Sequence, residues 1–284
     1  MKIFLATLCL NEMEWLPLLY EQHRTWPEMV RWVFVESADA AYRRVNPDMV
    51  SGQGLSVDGT SEFLKDLAIK DDRITYIPFG LSINKDAALG KCDARQQYLN
   101  VAEDVKPDFI IVLDADEFYT YRSQARVNHY MFKNPNHDSF VFHRVEIWRP
   151  PSIANQPLFQ YEVVGGFWKI PCCHWWRWVP GMNYGGCHNT PRTKEGKYLN
   201  DTLLRIDEVM KTPQMIHLGF ASSAKTRLAK NRYYAYRGEN RDRLRRWYVQ
   251  SRAKFEDWKP GDILPRGATV VPFTGLIPEV FQQP

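Results

Sequence analysis

The chain has 284 residues, 44% hydrophobic and 14% aromatic, enough for one large α/β domain or two small ones with a substantial core. Its mean hydropathy is −0.44, and no apolar run approaches the roughly 18 residues that a membrane-spanning helix needs. The net charge of +4 is modest, but it conceals a strongly basic segment near the C-terminal part.

In chain order, "KIFLATLCL" at residues 2 to 10 reads as a first strand. Asn11 and Glu12 follow it at once and no small-residue cleavage site appears, so it is not read as a secretory signal, and a cytoplasmic protein is expected. "EMEWLPLLYEQHRTW" reads as a helix and "VRWVFVES" as a second strand. Between Ser37 and Val57 lies an aperiodic stretch with Pro47, Gly52 and Gly54, expected as a long loop of the kind that serves as a lid. "DGTSEFLKDLAIK" predicts a helix with Asp58 or Thr60 as its N-cap and Phe63, Leu64, Leu67 and Ala68 as its buried stripe. "RITYIPF" is a strand, "DAALGKCDARQQYLNVAED" a helix, and "DFIIVLDAD" a buried strand that runs into Asp114, Asp116 and Glu117. Strands alternating with helices imply a mostly parallel sheet flanked by helices.

Beyond Asp116 the pattern changes. "SFVFHRVEIW" and "VVGGFWKIP" read as antiparallel strands joined by the Pro-rich "RPPSIANQP". From Ser222 a basic helical region is expected, with Leu244, Trp247, Tyr248, Ser251, Phe255 and Trp258 forming one packing face, and then an irregular tail. The predicted organisation is a catalytic domain over residues 1–221, with 222–284 as a basic helical extension packed on it. Between Lys225 and Lys254 eleven Lys or Arg stand against two acids, Glu239 and Asp242. That imbalance fits either an anionic partner or a solvated helix face. The five cysteines, Cys9, Cys92, Cys172, Cys173 and Cys187, form no secreted framework and are read as reduced thiols. The cluster of Cys172, Cys173, His174, Cys187 and His188 has zinc-ligand types without the spacing of a standard finger.

Ligands of open parallel sheets gather beyond the carboxyl ends of the strands. Asp114 and Asp116 stand at such an end, and hard divalent ions favour one or two carboxylates completed by phosphate oxygens. Four stretches in order, "ATLCLNEMEWL", "SVDGTSEFL", "LGKCDARQQYL" and "LDADEFY", resemble the family 2-like glycosyltransferases of the GT-A fold. The resemblance implies a Rossmann-like GT-A domain using a nucleoside-diphosphate sugar with Mn²⁺ or Mg²⁺. It would place Thr7, Asn11 and Glu12 along the nucleobase end of the donor, Glu36 or Asp58 as the base-binding acid, and Lys91 and Arg95 at the pyrophosphate or ribose. Asp114 would face the ribose and join the metal site, Asp116 would bind the metal, and His217 of "QMIHLGF" would add a metal contact. Lys225 and Lys230 would approach the phosphates.

"FWKIPCCHWWRWVPGMNYGGCHNTP" holds four of the ten tryptophans between Trp168 and Trp178, suited either to an acceptor pocket or to a core. An inverting transfer needs a general base at the acceptor hydroxyl. Relatives often carry Gly-x-x-His-Glu where this chain has Gly185-Gly186-Cys187-His188-Asn189, and an amide takes up no proton. His188 is therefore the first candidate, with Asp207 and Glu208 behind it. The leading expectation is a metal-dependent glycosyltransferase whose acceptor is a glycan, a small molecule or a modified nucleic acid. The alternatives are an enzyme specialised for hydroxymethylated nucleic-acid bases, or a non-catalytic nucleic-acid-binding protein using residues 225–254.

Overall fold

The structure, a computed structural model, describes residues 1–82, 84, 87–142, 144–148, 158–165, 172–185, 190–199, 203–205, 215–237 and 268–282. Parallel strands covered on both faces need apolar residues at nearly every position, and the first half of the chain supplies them. Strands β1 (Ile3–Cys9), β2 (Met29–Ala38) and β4 (Phe109–Val112) are almost wholly buried. β1 pairs in parallel with β2 and with β4, and β2 pairs in parallel with β3 (Ile74–Leu81). Three further strands extend this sheet: β6 (Ser139–Phe142), β9 (Cys172–Arg177) and β10 (Leu203–Arg205). The order is β10-β6-β9-β4-β1-β2-β3, with β9 antiparallel to both β4 and β6. The expected α/β class with a central, mostly parallel sheet is what the chain adopts.

Side-chain alternation divides the core between the two faces of this sheet. Ile3, Leu5, Trp32, Phe34, Phe109 and Ile111 face helices α1 (Leu16–His23), α3 (Thr60–Lys70) and α5 (Tyr121–Lys133). Phe4, Ala6, Val33, Val35, Ile110 and Val112 face α4 (Ala87–Val105), which presents Ala94, Tyr98, Leu99 and Ala102. Burying each large side chain contributes about 2 kcal/mol. Helix α3 buries Leu64 and Leu67, with Phe63 and Ala68 packed partly against them, as the stripe predicts. Its N-cap, however, is Gly59; Asp58 instead folds its carboxylate back onto the Thr60 N–H at 3.1 Å.

A second sheet has the order β12-β8-β7-β11-β5, formed by β5 (Glu117–Phe118), β7 (Arg144–Trp148), β8 (Tyr161–Gly165), β11 (Met215–Phe220) and β12 (Ala268–Pro272). The predicted single strand "SFVFHRVEIW" thus divides: β6 stays in the first sheet and β7 passes to the second. The tail is not wholly irregular, since β12 adds an edge strand against β8 and Glu279 accepts hydrogen bonds from Gln22 and the Tyr121 N–H. The stretch expected as a long loop contains helix α2 (Ala40–Val45) and a 3-10 turn at Pro47–Met49. The Asp39 carboxylate caps α2 by accepting the Tyr42 N–H at 2.8 Å. Helix α6 (Ala224–Arg237) is the described part of the basic region and lies against α2. The packing face from Leu244 to Trp258 lies outside the described residues.

Candidate functional site

β1 lies between β4 and β2, so the chain leaves β1 toward β2 and β3 on one side and returns to β4 on the other. The connections diverge at the carboxyl ends of β1 and β4, the place where a doubly wound sheet opens a ligand crevice. An open cavity lies at this end of the sheet. It is lined by Asn11 and Glu12 after β1, Asp39 and Tyr42 after β2, Lys91 of α4, and Lys230 and Tyr233 of α6, among others. Asn11 takes the left-handed conformation at φ 55°, which asparagine tolerates. Its side chain donates to the Met49 carbonyl at 2.6 Å and accepts the Val57 N–H at 2.9 Å, tying one wall of the cavity to the segment after α2. Asp39 also accepts a hydrogen bond from the Tyr233 hydroxyl, and the Lys91 ammonium stands 5.4 Å from the Tyr233 ring centroid.

Beside the cavity, Asp116 sits at the centre of a buried charge cluster. The backbone holds it: its carbonyl accepts the Leu218 N–H at 2.8 Å, and β5 pairs with β11 through Glu117 and His217. The Lys230 ammonium lies 2.9 Å from Asp116 Oδ2 and 3.8 Å from Glu12 Oε1, while His217 Nε2 lies 3.4 Å from Asp116 Oδ1. On its other side His217 Nδ1 is bonded to the Glu146 carboxylate, which also pairs with Arg144 at 2.5 Å. Burial disfavours the Asp116 carboxylate, but the Lys230 and His217 charges overcome it and hold the carboxyl well below its ordinary range. Burial likewise opposes charge on His217 and Lys230, and their carboxylate partners hold both well above their ordinary values. Burial pushes Glu12 up to about 8, opposed by Lys230.

The three acids after β4 therefore divide their roles. Asp114 turns toward Arg95, whose Nη2 stands 3.7 Å from its Oδ1. Glu117 turns into the core and accepts the Asp114 N–H at 3.0 Å; burial and the Asp114 charge raise it to about 8. Asp116 joins His217 and Lys230. Among the described residues no three His, Cys, Asp or Glu side chains form a ready cage for a metal ion.

Of the residues the resemblance singles out, Asn11, Glu12, Lys91 and Lys230 line the cavity, and Arg95 stands beside Asp114. Thr7 does not: its side chain is wholly buried and accepts the Trp32 indole N–H at 3.0 Å. Glu36 is also wholly buried, accepting from the Ser56 N–H at 2.6 Å, the Ser61 hydroxyl at 2.8 Å and the Tyr76 hydroxyl, so it fastens α3 and its preceding turn to β2 and β3. Asp58 is exposed and bonded to the Met13 N–H, and Lys225 is exposed; neither lines the cavity. The acid that reaches the cavity from the end of β2 is Asp39, three residues beyond Glu36, and its sequence signal is its position as a helix cap. Glu146 also escaped the sequence reading; the signal was a lone acid between two apolar residues in a strand. Trp175 and Trp176 are fully buried on opposite faces of the sheet, so they belong to the core and not to an acceptor pocket. Trp168, His188, Asp207 and Glu208 lie outside the described residues, and so do the side chains of Cys172, Cys173 and His174.

No protein-family model and no curated protein matches the chain. Solved structures do match at low identity. S. aureus TarS residues 1–349 align at 11% identity and TM-score 0.42, covering 98% of this chain and 100% of that one. The longer S. aureus TarS structure aligns at 13% identity and TM-score 0.31 over 56% of this chain, and the match spans only 24% of that chain. A Bacillus anthracis chain described as a glucose-1-phosphate thymidylyltransferase, crystallised with sucrose, aligns at 13% identity and TM-score 0.28, covering 88% of this chain and 83% of that one. Likenesses this distant carry no inference about activity. Among the described residues no helix is long and apolar enough to cross a membrane.

Proposed function

We propose that the chain is a metal-dependent glycosyltransferase that takes a nucleoside-diphosphate sugar into the cavity at the end of β1 and β2 and transfers the sugar, with inversion, to an acceptor hydroxyl. The observation that carries this reading is the Asp116 cluster, a carboxylate fixed at the sheet's switch point between an imidazole and a lysine, next to a cavity walled by Asp39 and Lys91. Asp39 and the Tyr233 ring suit the nucleobase end of such a donor. Lys91, Lys230 and the more deeply set Arg95 suit its phosphates.

The donor set fits Mn²⁺ or Mg²⁺ in part. Glu146 fixes His217 by Nδ1, which turns Nε2 toward Asp116 Oδ1. Asp116 and His217 would hold the ion, His217 giving up its Nε2 proton as the ion binds, and phosphate oxygens and water would supply the remaining ligands. When bound, the ion would neutralise charge that builds on the departing nucleoside diphosphate. Lys230 and Lys91 would act on the same charge, and the buried walls would exclude water from it. The acceptor proton would go to a base among His188, Asp207 and Glu208.

A second reading, in which the acceptor is a modified nucleic acid, draws support from exposed tyrosines of α6. Tyr234 is exposed at the cavity, and Tyr236 is exposed with the Arg44 guanidinium 5.3 Å from its ring centroid, a basic and aromatic pair of the kind that bases stack upon. Incubation with UDP, GDP, CDP and TDP sugars and Mn²⁺, scored by mass spectrometry, should release one nucleoside diphosphate. An Asp116→Asn variant should lose at least about a hundredfold of that release. Release confined to reactions supplied with hydroxymethylcytosine-containing DNA would favour the second reading, and no release from any donor under either condition would contradict both.

A further inference from the structure

We propose that Lys230 is a resident counter-ion that neutralises Asp116 in the empty protein and passes to the donor's phosphates when a divalent cation takes its place. The inference rests on the glycosyltransferase reading above and adds an order to it. Each oxygen of Asp116 is already engaged, Oδ2 by the Lys230 ammonium at 2.9 Å and Oδ1 by His217 at 3.4 Å. A metal arriving alone must displace the ammonium or stand against its charge. An ion arriving with phosphates meets a different balance, since the phosphates offer the displaced ammonium new acceptors.

Lys230 is built for such an exchange. It lines the cavity, and its side chain keeps a third of its surface exposed, whereas Asp116 is nearly sealed at 6%. The helix that carries it is anchored: the Ala229 carbonyl accepts the Asn46 amide at 3.0 Å, and the Tyr233 hydroxyl donates to Asp39. The movement can therefore be confined to the flexible four-carbon stem of lysine, with no shift of α6. Glu12, 3.8 Å from the ammonium, offers a second contact on the cavity side. Holding Asp116 paired also avoids an isolated buried carboxylate while the site awaits its ligands. The consequence is positive coupling: metal and phosphate each favour the other because both act on one lysine.

Calorimetric titration of wild type and Lys230→Met with two probes tests this. With Mn²⁺ alone the variant should bind about tenfold more tightly, and with preformed Mn²⁺–pyrophosphate about tenfold more weakly. A purely structural role would shift both affinities the same way, and that result, or no shift in either, would overturn the exchange while leaving wild-type binding of Mn²⁺–pyrophosphate in support of the glycosyltransferase reading. If wild type bound neither probe, the cation itself would fall, and the exchange with it. Should the variant not fold, acetic anhydride labelling of wild type reads the same event. Lys230 labelling should rise with Mn²⁺ alone and fall with Mn²⁺–pyrophosphate; labelling indifferent to both would overturn the proposal.

Discussion

At the scale of single residues the chain spends charged groups on structure as well as on the cavity. His23 is the plainest case. It is wholly buried on α1, with Nδ1 2.9 Å from the Leu19 carbonyl and Nε2 accepting the Tyr119 N–H at 3.2 Å. Nδ1 must therefore carry the proton and Nε2 must not, which fixes the neutral tautomer. Burial pulls its pKa down to about 4 from an ordinary 6.5, with the Leu19 contact acting the other way. The sign follows: above pH 6.5 the group is neutral in both folded and unfolded chains, and as pH falls toward 4 only the unfolded chain gains the proton. Stability lost in that window through His23 should reach roughly 3 kcal/mol. Denaturant unfolding at a series of pH values should show that part of the slope missing from His23→Gln, although that variant starts less stable; equal slopes in that window would contradict the assignment. Sequence alternation already held part of what the family resemblance misplaced. Ile3 and Leu5 share the face of β1 that Thr7 shares, and Glu36 continues the face of Trp32 and Phe34, so both polar residues point to the α1 and α3 side of the sheet.

At the scale of elements, long apolar runs and long amphipathic stretches were legible, because burial on both faces of a parallel sheet leaves little freedom in composition. β1, β2, β4, α3 and α4 follow the sequence reading for this reason. The stretch from residue 38 to residue 57 was not legible, because a six-residue helix has too few turns to show a period and owes its position to the Asp39 cap and to α6. This stretch is a clamped wall and not a free lid. The Ala38 N–H donates to the Gly54 carbonyl at 3.1 Å, and the Leu81 N–H donates to the Gln53 carbonyl at 3.0 Å. Gly54 lies at φ +85°, and a Cβ there would meet the Leu81 nitrogen at 2.2 Å, a backbone atom that cannot step aside. Gly54→Ala should cost about 3 kcal/mol in denaturant unfolding. Gly52, with nothing within 4 Å of a Cβ, is the control, and Gly52→Ala should stay within about 0.5 kcal/mol. Equal effects at the two positions would mean that the wall is not clamped as described. The division of "SFVFHRVEIW" between two sheets had no local signal either, since both halves alternate as strands and only their partners, β9 and β11, differ.

At the scale of the whole molecule, residues distant in the chain meet at one place because the sheet reverses its order there. Glu12 follows β1, Asp116 follows β4, Glu146 and His217 come from neighbouring strands of the second sheet, and Lys230 comes from α6. The acid of the β4 end and the histidine a hundred residues later were visible in the sequence as types in a pattern. Their partners were not, because a lysine in a basic segment looks like any solvated lysine until the fold brings it to Asp116. The decisive measurement is an anomalous difference map from crystals soaked with Mn²⁺ and the nucleoside diphosphate released in the donor screen. The expected result is a manganese peak between Asp116 and His217 with Lys230 drawn to the phosphates, whereas nucleotide bound in the cavity with no peak there and Lys230 still paired to Asp116 would contradict it.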